Sequence, residues 1–459
     1  MTLKRAPRQD PAPGALALEA ALLEEMPVRT VLEGLSNVQH WTNFAQFFGP
    51  LSGSEPKLAA PLAKYLFTVF GYGANLGPAQ LARHVRGKGK VSAQTFGRID
   101  ARHIPADGLD RGKRVIIDTY HACALPHAWG DEHVAAIDGT LQEARESALM
   151  TEYHVRYGRF GGVAFHYVSS LYIALVSHFI PCGAWEGIYL IDAFLQNQSR
   201  IQPTTIHADT QGQSAPIFGM AFMLGINLMP RIRHWSGLTL YRPDRAVVYE
   251  HIDALFTGVV DWAFIERHWD DLMQAMLSIK EGRILPSTLL RKLGNYSRKN
   301  KLYQVFKAVG DVVRTVFLLT YVSRLEVRAV ITQETNKAEA YHAFCAWVAF
   351  GGDRLQGGID AESYEKRVKY TDVLANALIL HNVVDMSVAL ERLAARGYQV
   401  TPETVSALSP YTTRNWKRFG EYEINVAAVP PPLTTLTRLF HERFGDMLTR
   451  VRGVGTSRA

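Results

Sequence analysis

Two aspartates and one glutamate are the side chains here whose type and placement could hold a hard divalent cation. Asp138 closes the short apolar run VAAID (134–138), and Asp209 closes TTIHAD (204–209). In an open α/β sheet, functional groups gather at the carboxyl ends of strands, where departing loops leave a crevice. Two carboxylates presented there could share Mg²⁺, which takes a few carboxylate oxygens and keeps its other positions for water and phosphate. Glu339 is the natural third ligand, near the start of a helix expected from about Asn336 with Ala338, Tyr341, Cys345 and Val348 as its apolar stripe. Three such carboxylates would complete a two-ion site for in-line attack at phosphorus. Each position also has a plainer reading. Aspartates after strands are common turn formers. Glu339 stands three residues after Asn336, the spacing of a capping box. Asp118 rivals Asp138, because VIID (115–118) resembles VAAID. His207, alone on its strand, reads as a satisfied core residue. Types and spacing therefore allow a metal nuclease without demanding one.

The elements that must position these residues follow from the patterning. GVAFHYVSS (162–170) and YIALVSHFI (172–180) are rich in β-branched and aromatic residues and read as an antiparallel pair. A helix is expected over 186–198, then the strand 204–209, then a buried helix from Ser214 to Leu224 with Pro216 in its first turn. That order predicts an α/β fold with a ribonuclease-H-like mixed-sheet core. From about Asp244 to Val330 strand signals vanish, so an all-helical insertion is expected. The expected organisation is a loose lead-in (1–27), a helical pre-catalytic segment (28–110) and the first part of the core (111–244). The insertion (245–330), the core completion with the Glu339 helix (331–410) and a tail (411–459) follow.

Composition narrows the class further. The chain has 459 residues, 47% hydrophobic and 20% charged, which fits a globular protein of two to four packed units. No window reaches the ~18 uninterrupted apolar residues of a membrane helix. The best stretch, Tyr167 to Ile180, is short and carries Ser169, Ser170, Ser177 and His178. The opening MTLKRAPRQDPAPG lacks the apolar segment of a secretory signal. Cys123, Cys182 and Cys345 are too scattered for a disulfide framework or a zinc site, which points to the cytoplasm. Fifty Lys and Arg against 43 Asp and Glu give a net charge of +7. The cations gather between Lys280 and Arg328, and RKLGNYSRKNKLYQVFK interleaves them with Tyr296, Tyr303 and Phe306. Aromatics that stack on bases beside cations that hold phosphates make a nucleic-acid groove. The same pattern also describes a solvated helix face whose aromatics are core.

Longer motifs add a resemblance. IDGTLQEARESALMTEYHVRYGRFGGVAFHYVSS, HADTQGQSAPIFGMAFMLGINLMPRIR and NKAEAYHAFCAWVAFGG resemble, in order, the three catalytic stretches of the Tn-three family transposases, the replicative, cointegrate-forming class. NVQHWTNFAQFFGPLSG and GYGANLGPAQLARHV resemble the family's helical segment before them. YTDVLANALILHNVVDMSVAL and LSPYTTRNWKRFGEYEI resemble its closing helix and tail, so the likeness runs from about residue 28 to 426. It implies that Asp138, Asp209 and Glu339 are the catalytic, metal-binding DDE triad and that Asp118 is structural. Ala338 in place of the usual glycine, and Ala208 in place of a threonine-like residue, remove no ligand. The implied activity is Mg²⁺-dependent cleavage at transposon ends and transfer of the freed 3′ hydroxyl into target DNA, with Mn²⁺ able to substitute. His154, Arg156, Arg231 and Arg233 would steady phosphates, and Arg298, Lys299 and Lys301 of the insertion would hold DNA. Family members carry an N-terminal region that recognises the transposon ends, and this chain begins just upstream of the catalytic part. A partner chain supplying that region, and a homodimer pairing two ends, are therefore expected, in a DNA-associated bacterial protein with no membrane role. The alternatives are a truncated or degenerate fragment that binds DNA or regulates transposition, and a stand-alone ribonuclease-H-like nuclease.

If the cluster holds DNA, replacing Arg298, Lys299 and Lys301 together by alanine weakens binding across sequences. It also flattens the log–log salt dependence by roughly 0.9 for each phosphate that is no longer neutralised. An unchanged slope in a filter-binding titration would reduce the cluster to a solvated face.

Overall fold

A computed structural model describes residues 12–455 except 56, 88–89, 145, 147–150, 155–157, 183–185, 295–299 and 357–359. Six strands form the main sheet: β1 (Val134–Glu143), β2 (Glu152–His154), β3 (Arg159–Ser169), β4 (Ala174–Pro181), β5 (Thr205–Ala208) and β6 (Asn227–Pro230). The order across it is β4-β3-β1-β5-β6, with β2 paired to the start of β3. β3 is antiparallel to both β1 and β4, whereas β1, β5 and β6 run parallel. The chain is thus a mixed α/β protein. The expected 162–170/172–180 pair is β3 and β4. β3 is buried from Gly161 to Ser169, so its apolar run reads as continuous rather than alternating.

Five helices frame the sheet: α1 (Ala106–His121), α2 (Ala215–Met223), α3 (Lys301–Ser323), α4 (Leu325–Val348) and α5 (Ala361–Ala395). Helix α2 begins with Pro216 in its first turn and is buried nearly all round, as the pattern predicts. It meets α3 backbone to backbone. A Cβ on Gly219 would stand 2.1 Å from the Phe306 carbonyl oxygen, and one on Gly310 would stand 1.7 Å from that of Ala215. Only glycine permits this approach. Helix α5 is the core helix, and Val373, Leu374, Ala377, Leu378 and Leu380 have no exposed surface. Glu362–Ala395 is long and apolar enough to cross a membrane by composition, but 89% of its most apolar window lies inside the protein. An apolar circumference of this kind also marks a helix at the centre of a core.

One polar knot sits in that core. The Asp372 carboxylate of α5, fully buried, accepts from Lys113 Nζ of α1 at 3.1 Å. It also accepts from His166 Nε2 of β3 and from the Tyr341 hydroxyl of α4, each at 3.1 Å. Burial alone would raise its pKa, but Lys113 and His166 outweigh burial and hold the carboxyl well below its usual range.

Several expectations are corrected. VIID is no strand; it lies in α1, where Leu109, Ile116, Ile117 and Tyr120 form one buried face at helical spacing. The lead-in is not loose throughout. Ala15–Glu25 is a helix that buries Leu18 and Leu22, and Glu25 pairs with Arg392 and Arg396 at 3.3 and 2.8 Å. The segment 186–198 is a 3₁₀ turn, Glu186–Tyr189, running into a helix over Leu190–Gln196. The insertion is not all helical, since Phe256–Val259 pairs in parallel with Leu240–Arg242. Only Arg324 separates α3 from α4, so Asn336 and Glu339 lie inside a helix and form no capping box.

Asp372→Ala should cost about 3–5 kcal/mol in urea denaturation, because it strands the Lys113 charge in the core. The double variant Lys113→Met/Asp372→Leu should lose less than Asp372→Ala. A larger loss in the double would show that the pair is strongly net stabilising.

Candidate metal site beside the central strands

Asp138 lies inside β1, opposite His166 of β3 across the antiparallel ladder. On its other side, the pairing of β1 with β5 ends at Ile137 opposite Ala208. The expectation that Asp138 ends its strand is corrected, because β1 runs on to Glu143 beside β3; Asp138 and Asp209 instead stand side by side where the β1–β5 ladder stops. The residue after Asp138 is a glycine that lets the Val163 and Glu186 side chains close over it. A Cβ on Gly139 would stand 2.6 Å from Val163 Cγ1 and 2.7 Å from Glu186 Oε2. Asp209 caps the 3₁₀ turn Thr210–Gln213, its Oδ1 accepting the Gln211 N–H at 2.8 Å.

Glu339 lies on α4 with its side chain 55% exposed, and Arg231 approaches its Oε1 to 3.1 Å. The same guanidinium donates to Asn336 Oδ1 at 2.9 Å, so Arg231 ties the end of β6 to the glutamate helix. The turn preceding Glu339 is locked from inside. Lys337 Nζ is buried and donates to the Trp129 carbonyl, the Ser170 carbonyl and Ser170 Oγ, each at 3.0 Å, and to Glu334 at 2.8 Å.

The electrostatics point to a cation. Burial, together with the negative charges of Asp209, Glu339 and Glu186, pushes the Asp138 carboxyl up to about 7. Repulsion among carboxylates is what a divalent ion relieves, and the all-oxygen set suits Mg²⁺. Among the described residues, the trio whose ligand atoms lie within 4.8 Å of one another is a different one, His121, His127 and Glu132. The Asp138, Asp209 and Glu339 oxygens are more widely spread.

Sequence reasoning passes over two side chains beside Asp138. Glu186 is one. The other is His342, one turn after Glu339 on α4, with its Nδ1 3.6 Å from Asp138 Oδ2. The readable signal is the E-x-x-H spacing, which puts both side chains on one helix face.

The remaining expected residues divide. Arg233 Nε lies 3.1 Å from His234 Nε2, and the Arg233 N–H donates to Gln213. His154 ends β2 opposite Arg159. Arg156, Arg298 and Lys299 lie outside the described residues. Lys301 opens α3, its Nζ 6.0 Å from the Phe264 ring centre. Elsewhere in the basic cluster, Lys307 and Arg314 converge on the buried Asp311 at 2.7 and 3.0 Å. Phe306 is fully buried and so is core rather than a base-stacking surface. His207 is a core residue, its Nδ1 3.2 Å from the Met229 carbonyl oxygen. Asp118 accepts the Arg200 N–H at 2.7 Å and serves to pin a loop.

Comparison with known proteins matches residues 33–422 to the Tn3 transposase DDE domain. The chain is 24% identical to the transposase for transposon Tn1546 of Enterococcus faecium, over 90% of this chain and 41% of that one. It is 27% identical to the transposase for transposon Tn501 of Pseudomonas aeruginosa, over 86% and 40%. It is 25% identical to the transposase for transposon gamma-delta of Escherichia coli (strain K12), over 92% and 42%. The chain therefore spans about two fifths of the length of these relatives.

The raised Asp138 carboxyl has a pH signature. Folded, it keeps its proton to about pH 7; unfolded, it releases it near 4. The native state thus binds the extra proton in that window, and stability falls as pH rises through it. Measured in EDTA by thermal melting, Asp138→Asn should match the parent near pH 4 and melt a few degrees higher at pH 8. A variant that melts lower at pH 8 would mean that the site favours the anion.

Proposed function

The chain belongs to the Tn3 family of DDE transposases, and from that premise we propose that it is a DNA transposase catalytic region. Its reaction is metal-dependent cleavage at transposon ends and transfer of the freed 3′ hydroxyl into target DNA, as in replicative transposition. The observation that carries this reading is the pair of aspartates side by side where the parallel β1–β5 ladder stops, with a glutamate helix alongside and the Asp138 proton held by burial and by the neighbouring carboxylates. The strand order, with β3 the antiparallel member, supports a ribonuclease-H-like core.

Asp138, Asp209 and Glu339 are the ligands in this reading. Bound there, Mg²⁺ or Mn²⁺ supplies a Lewis acid at the scissile phosphate and lowers the pKa of the attacking water. The protein's part is to hold three carboxylates on rigid elements, two on the sheet and one on a helix locked by Lys337. Arg231 holds Glu339 and Asn336 before DNA arrives. An incoming phosphate competes for that guanidinium, whose fork geometry suits it. Transposon ends and target DNA are the substrates, with a homodimer pairing two ends and a further region, on this or a partner chain, reading their sequence.

The test is strand transfer of a short labelled duplex bearing a 3′ hydroxyl into supercoiled plasmid. Joined products should require Mg²⁺ or Mn²⁺ and vanish in EDTA. They should fall more than about 100-fold in Asp138→Asn, Asp209→Asn and Glu339→Gln, beyond the loss typical of a residue behind a ligand, while DNA binding persists. Cleavage without joining would favour a nuclease, and metal-independent binding alone a regulatory remnant. Full activity in any of the three variants would show that the ligands are wrong.

A further inference from the structure

The 3.6 Å between His342 Nδ1 and Asp138 Oδ2 is too long for a hydrogen bond. It is close to another natural spacing. Donors bound to one ion at about 2.0–2.2 Å lie about 3–3.5 Å apart. The rest of the His342 ring is committed. Its Nε2 is 3.2 Å from His166 Nδ1, and His166 Nε2 is 3.1 Å from Asp372 Oδ1. A carboxylate only accepts, so His166 Nε2 carries the hydrogen. With each imidazole neutral, His166 Nδ1 then accepts from His342 Nε2–H, and His342 Nδ1 turns its lone pair toward Asp138. Lys113 and Tyr341 anchor the far end of this chain on Asp372. Ligating histidines are held in this way, the second ring nitrogen donating to a partner that fixes tautomer and orientation.

We infer that His342 Nδ1 is a further ligand of the divalent cation held by Asp138, with His166 and Asp372 as positioning residues behind it. This rests on the reading of Asp138 as a metal ligand. The donor set becomes mixed oxygen and nitrogen, which shifts preference from Mg²⁺ toward first-row divalent ions.

Pulsed electron paramagnetic resonance on the full chain loaded with Mn²⁺ tests this without reference to activity. The parent should show the ¹⁴N modulation of a coordinated imidazole. Growth on [¹⁵N]histidine should replace that pattern, a control that needs no substitution. His342→Gln should lose the modulation and bind Mn²⁺ at least tenfold more weakly. His166→Phe should weaken Mn²⁺ about tenfold by releasing the ring. Mn²⁺ binding unaltered by Asp138→Asn would sink the Asp138 reading itself. If Asp138→Asn abolishes binding but the parent lacks ¹⁴N modulation, or His342→Gln retains it, the His342 assignment is overturned while Asp138 stands.

Discussion

A carboxylate without exposed surface persists in an apolar core only when its charge is met from several directions, and Asp372 is met from α1, β3 and α4. The knot ties four elements, of which α1 and β3 are remote in sequence from α5. Rotating α5 by one residue, or sliding β3 by one, would leave an anion, a cation and a ring nitrogen buried and unsatisfied, each at a cost comparable to a large core defect. Its value lies in that penalty more than in net stability, since apolar packing could fill the same space. The register it imposes is also the register of Asp138. His166 pairs with Asp372 through one ring nitrogen and, on the opposing strand, faces Asp138 across the ladder.

The second constraint is Lys337, buried two residues before Glu339. Its hydrogen bonds to backbone and side-chain oxygens of Trp129 and Ser170 set which face of α4 turns toward the sheet. The glutamate itself stays exposed and answers to Arg231. The helix is therefore rigid where it meets the core and adjustable at the carboxylate.

Much of this was legible in the sequence because it is local. The β3–β4 pair, the proline-started α2 and the strands that present Asp138 and Asp209 each announce themselves within a dozen residues, although the sequence does not show that β1 runs on past Asp138 to Glu143. The errors have physical causes. A four-residue apolar run such as VIID fits either period, and only the wider spacing of Leu109, Ile116 and Tyr120 marks it as helix. The Phe256–Val259 strand is four residues long and stabilised by a partner rather than by its own pattern. Asn336 followed by Glu339 imitates a cap, yet α4 had begun at Leu325. Half of the site's surroundings was hidden for a different reason. His166 is a single polar residue inside an apolar strand, Lys113 is one of several charges on its helix, and nothing local says that they meet Asp372. The basic stretch divides residue by residue, since Phe306 is core, as the plainer reading has it, while Lys307 and Arg314 pair with the buried Asp311.

The glycine-to-backbone seam between α2 and α3 bears on how this architecture tolerates change. Asp209 precedes α2, and Glu339 lies on the helix that follows α3 with one residue between them. Once Gly219 and Gly310 are seated, the two ends of the insertion are held together, whatever lies between. Because loop-closure entropy grows only with the logarithm of length, loops between Arg233 and Asn300 can lengthen with little effect on the distance between the two carboxylates, whereas β6 and Arg231 before them are fixed by the sheet and by Glu339. Change in those loops is thereby uncoupled from the spacing of the carboxylates, at the expense of two positions where not even a methyl group fits.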